Sequence, residues 1–164
     1  MSQSSFRQDT TLEDLGDGAD FFLLAFRAFA TGKPACSCLK NHFAKTFGQI
    51  GEHVLSDIWE LTGMLGRTGR RKVRLGLPGC RHVTHDEISL LSSLNAAQNM
   101  NSSWADAHLQ WLMGQAAPRT ISKQIDIIAN YFRDAGLSIS TPEAQPVPLR
   151  DKKELASLVV LGSA

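Results

Sequence analysis

Apolar residues at positions 39, 43, 47, 50, 54, 58, 61 and 65 recur at steps of three and four, the spacing of one face of an α-helix. A second run, Ile121, Ile125, Ile128, Phe132 and Ala135, repeats the pattern between Pro118 and Gly136. A strand turns successive side chains to opposite faces, so stripes of this period do not suit a sheet. They need helical partners that bury them. The expectation is an all-α fold, a single-domain helical bundle of five or six helices.

The other segments fit that frame. Phe21 to Phe29 is apolar nearly all round, which predicts a central helix starting at Asp17 or Asp20 and ending near Ala30. Thr31-Gly32-Lys33-Pro34 then stops it. Gly48 and Gly51 weaken the 39–65 stripe, so one rod and two helices both satisfy the spacing. The stripe loses its hold at Gly63, Gly66 and Gly69. Beyond it, Arg70 to Leu77 alternates enough to predict a short extended segment near residues 71–77, closed by Pro78-Gly79. Thr84-His85-Asp86-Glu87 matches a capping box, with a hydroxyl and a carboxylate to satisfy the free N–H groups of a helix start. Ile88, Leu91, Leu94 and Gln98 share a face of that helix. After a polar turn, a further helix carries Trp104, Ala107, Trp111 and Leu112 up to Gly114. Trp104 and Trp111 lie seven apart on one face; core packing is expected for both, and an exposed pair would instead mark a partner site.

The domain organisation follows from composition. Residues 1–17 are polar and Asp-rich, a flexible N-terminal arm, and residues 18–140 form the helical domain. Three prolines make residues 141–148 a linker. Residues 149–164 are a tail that would dock through Leu155, Leu158 and Val159, as helix or strand. With 164 residues, one core is the natural outcome. No apolar stretch approaches the roughly 20 residues of a membrane span. No basic segment leads into an apolar run at the start, and the cysteines number three, too few and too odd for a disulfide framework. Cytoplasmic residence is the expectation.

Charge is uneven. Residues 33–82 carry nine basic and three acidic side chains, whereas the flanking segments are net acidic. Arg67, Arg70, Arg71, Lys72 and Arg74 fall within eight residues, and with Arg81 they would form a strip able to contact phosphates. The two helices after Thr84 have the outline of a helix-turn-helix, but the second of them offers no Arg or Lys to base edges. Backbone contact therefore fits better than base readout.

Cysteine and histidine also cluster. Cys36, Cys38 and His42 form C-x-C-x3-H, while Cys80, His82 and His85 form C-x-H-x2-H. Loop-borne thiolates and imidazoles are what zinc or iron selects, and the two triplets would supply four ligands if the fold joined them. The spacing is poor for a chelate, and buried thiols are common in any core.

Catalytic motifs are missing. The Gly63, Gly66, Gly69 series lacks the order of a phosphate-binding loop, and neither G-x-S-x-G nor H-E-x2-H occurs. The expected function is non-enzymatic: a small regulatory or adaptor protein that docks on a protein partner or nucleic acid through its basic middle. The alternative is a metal- or redox-responsive protein built on the two triplets.

Overall fold

The computed structural model describes residues 10–141. It is an all-α bundle of six helices: α1 (Asp17–Ala30), α2 (Ser37–Phe47), α3 (Gly51–Thr68), α4 (His85–Gln98), α5 (Ser102–Met113) and α6 (Arg119–Asp134). Among the described residues there is no strand, only an isolated antiparallel bridge between Thr11 and His82. No described helix is long and apolar enough to cross a membrane. The linker and tail expected at 141–148 and 149–164 lie, apart from Thr141, outside the described residues, as do residues 1–9 of the arm.

Of the eight stripe residues between 39 and 65, Leu39, Phe43, Phe47, Val54, Ile58, Leu61 and Leu65 are buried and Ile50 is largely exposed. The chain breaks at Ile50 because a 3-10 turn, Gly48–Ile50, separates α2 from α3. Gly51 permits the tight return, since a Cβ there would stand 2.9 Å from the Phe43 carbonyl. α3 then packs on α1, α2 and α6. It continues through Gly63 and Gly66 to Thr68, further than helix propensity suggests, because Leu61 and Leu65 are anchored in the core.

α1 carries the apolar content expected of an inner helix, with Phe22, Leu23, Ala25, Phe26 and Phe29 buried. Phe22 reaches Phe132 of α6 edge-on, at 6.3 Å between centroids. On α6, Ile121, Ile125, Ile128 and Phe132 are buried, as the spacing predicts, while Ala135, the last residue of that stripe, is the exposed C-cap. α4 packs on α5 and α6, and its capping box is formed, with the Glu87 N–H donating to Thr84 Oγ1 at 3.1 Å. The domain also begins earlier than the polar composition of 1–17 implies. A 3-10 turn, Leu12–Leu15, buries Leu15 completely, and Leu15 O accepts from Ser140 N after α6.

Trp104 and Trp111 correct the expectation of core packing. They are 40% and 56% exposed, and α5 instead buries Ala105, Leu109, Leu112 and Met113. Two apolar stripes exist on that helix, and the aliphatic one faces α4.

Candidate functional site

α3 and α4 are joined by residues 69–84, sixteen residues without a regular element. Unstructured connections of that length are uncommon within compact domains, where they are usually either functional segments or linkers. This one is held in a defined shape by charge. Arg27, 2% exposed on α1, donates to both carboxylate oxygens of Glu87, at 2.7 and 2.8 Å. The same guanidinium donates to Cys80 O at 2.6 Å and His82 O at 2.9 Å. Glu87 in turn accepts from Gly76 N and Thr84 N, each at 2.9 Å. Gly76 is required here, because a Cβ would lie 2.7 Å from an Arg27 guanidinium nitrogen.

A buried ion pair stabilises only when its desolvation is offset by good geometry and by bonds to the remaining lone pairs and protons. Both conditions are met. Burial pushes the Glu87 carboxyl up, but Arg27 and the two backbone N–H groups outweigh it and leave it below the usual range. The hydrogen bond to Glu87 raises Arg27 still further above its ordinary value, against the opposing effect of burial.

Asp86, next in the capping turn, holds the preceding stretch. It accepts from the Arg71 guanidinium and from Arg74 N, the latter at 2.7 Å. Arg71 also lies over the Trp111 ring, 4.6 Å from its centroid, and donates to Trp111 O. Pro78-Gly79 makes the turn, with Gly79 at φ 84° and Cys80 N donating to Leu77 O. The segment near 71–77 is therefore extended, as expected, but it is tied to carboxylates rather than to a strand.

This arrangement sorts the six basic residues singled out from sequence. Arg71 is committed to Asp86 and Trp111. Arg81 pairs with Glu13 at 3.2 Å, an exposed contact of little energetic weight. Arg67, Arg70, Lys72 and Arg74 are exposed, and their side chains have no carboxylate partner among the described residues.

Between the end of α1, the second half of α3 and the start of the connection lies a groove of about 660 Å³. Its floor is apolar, from Phe26, Phe29, Leu65, Val73 and Leu75, and its rim carries Arg67, Arg70, Arg71 and Lys72. Among the described residues no carboxylate lines it. Trp59 forms one wall, 47% exposed, meeting Phe29 edge-on at 5.1 Å between centroids. Gly66 has open space where a side chain would stand, whereas the Arg67 guanidinium lies over Gly63, 2.9 Å from where a Cβ would be.

The two Cys/His triplets do not come together as a site. Among the described residues, no group of three or more His, Cys, Asp or Glu side chains is placed to hold a metal ion. Each member has a local setting instead. Cys36 caps α2, its Sγ accepting from Leu39 N at 3.4 Å, and Cys38 is exposed beside it. His42 stacks flat on Phe21, 4.2 Å between centroids. Cys80 and His82 offer their carbonyls to Arg27, and His85 is the exposed first residue of α4.

Sequence reasoning missed Arg27, Trp59 and the second role of Asp86 and Glu87. A lone Arg inside a helix apolar nearly all round was the available signal, since such a charge needs a buried partner. Nothing near Trp59 in the chain marks it as the wall of a groove.

No protein-family model matches the chain, and no curated protein or solved structure matches it.

Proposed function

We propose that this is a non-enzymatic regulatory or adaptor protein that docks on a nucleic-acid backbone through the basic rim of the groove. The observation that carries the reading is the allocation of charge. Asp86 and Glu87, the two carboxylates at the start of α4, are consumed by Arg71, Arg27 and backbone N–H groups. That leaves Arg67, Arg70 and Lys72 beside a cavity lined by no acid among the described residues. Three cations held together without counter-charge repel one another, and an anionic polymer relieves the repulsion while releasing its condensed counterions.

The helix-turn-helix outline contributes less. α4 and α5 are joined by only three residues, 99–101, but α5 presents Trp104 and Trp111 outward and no cation. Base readout by α5 therefore has little to work with.

The reading is tested by titrating a labelled oligonucleotide at about 50 mM and about 200 mM salt. Affinity should fall steeply between the two, and Arg67→Ala/Arg70→Ala/Lys72→Ala should bind weakly at both. Salt-independent binding, or a triple variant that binds like the parent, would remove the proposal.

A further inference from the structure

We infer that the groove selects single-stranded over duplex nucleic acid by stacking an unpaired base on Trp59; this rests on the backbone-binding reading above and names its ligand.

Phosphates account for the rim but not for the floor. A duplex presents only its charged backbone to a concave surface and keeps its base faces inside the stack. It would meet Arg67, Arg70 and Lys72 and leave the apolar floor unfilled. An unpaired nucleotide has both parts, an anionic backbone for the rim and a flat apolar base for an aromatic wall. The geometry suits that division. Trp59 is one α-helical turn from Gly63, over which the Arg67 guanidinium folds, and about two from Arg67 and Gly66, so ring and cation lie close together along α3. The size suits it as well, since 660 Å³ lies within the range of small-ligand pockets and below what a duplex segment fills.

Trp59 and Phe29 also line a second hollow of about 330 Å³, where, among the described residues, Lys40 is the one cation and Glu52 the one carboxylate. The two grooves thus share an aromatic wall. A strand lying in the first can cross Trp59 and continue toward Lys40, so the ligand is a polymer of several nucleotides rather than a free nucleotide. A run of acidic residues would also answer the charge, but its carboxylate side chains offer no flat apolar face for the indole.

The experiment uses the full chain and fluorescence anisotropy with four probes: a single strand of about 12 nucleotides, the matching duplex, uridine monophosphate as competitor, and poly-glutamate. The single strand should bind at least about ten-fold tighter than the duplex, and Trp59→Leu should remove most of that advantage while leaving duplex binding unchanged. Trp59→Phe, which keeps a stacking face, should retain most of it and guards against loss of fold. Equal affinity for single strand and duplex, with no effect of Trp59→Leu, would overturn single-strand selection yet leave backbone docking standing. Competition by the mononucleotide as strong as by the oligomer, or preference for poly-glutamate, would also overturn it. Failure to bind any nucleic acid would sink both readings together.

Discussion

On the inner side of the 69–84 connection, Arg27, Arg71, Asp86 and Glu87 satisfy one another and the backbone groups around them; at its outer side and on the end of α3, Arg67, Arg70 and Lys72 have no carboxylate partner among the described residues. Arg70 and Arg71 are neighbours in the chain and fall on opposite sides of this division. The inner charges are buried or half-buried, where a missing partner is costly and the pairing is intolerant of change. The outer charges are solvated, where a missing partner costs little and a visiting anion is welcome. A basic run in a sequence is thus two populations, and only the fold separates them.

The comparison breaks most readily at Glu87. Glu87→Ala leaves the Arg27 guanidinium buried without its counter-charge and frees Gly76 N and Thr84 N, so unfolding free energy should drop by about 3–5 kcal/mol in a denaturant titration. The same pair sets an acid limit. Because the folded-state pKa of Glu87 lies below its ordinary 4.5, its contribution is complete above that value and is lost as pH falls through the lowered one. Glu87→Gln should flatten that part of the stability profile; an unchanged profile would mean that the pair does not hold the connection.

A smaller loss is expected at Arg71, which is partly exposed but bridges Asp86 and Trp111. Arg71→Ala should cost about 1–2 kcal/mol, and Arg71→Lys should recover only part, since an ammonium does not reproduce the planar contact. Equal stability of all three proteins in thermal melts would place Arg71 with the outer set.

His108 on α5 offers a finer test. Its Nε2 is buried without a hydrogen-bond partner among the described residues, and burial holds the imidazole below its ordinary 6.5. The unfolded chain therefore binds this proton more readily, and stability should decline as pH falls below about 6.5 toward the lowered value. His108→Leu should remove that shallow slope. A slope that persists in the variant would assign it to another group.

The helices were legible because periodicity is local. Ile121 to Phe132 spells out α6, and Thr84 to Glu87 announces the start of α4. The break between α2 and α3 was visible as two glycines, though the stripe alone did not decide it. What stayed hidden depends on residues far apart in the chain. Glu87 reads as a capping residue until Arg27, sixty positions earlier, is found against it. The groove is hidden in the same way, since Phe29, Trp59 and Val73 meet only in the folded chain. Trp104 and Trp111 show the reverse error: their spacing is helical, but a parallel aliphatic stripe won the core.

The account rests most directly on the independence of the outer cations from the fold, and reversing their charge measures it. Arg67→Glu/Arg70→Glu/Lys72→Glu should melt at the parent's temperature, because surface changes away from such networks usually alter stability by within about 0.5 kcal/mol. The same protein should lose oligonucleotide binding altogether at low salt. Retained binding, or a chain that no longer folds, would contradict the division of charge proposed for this connection.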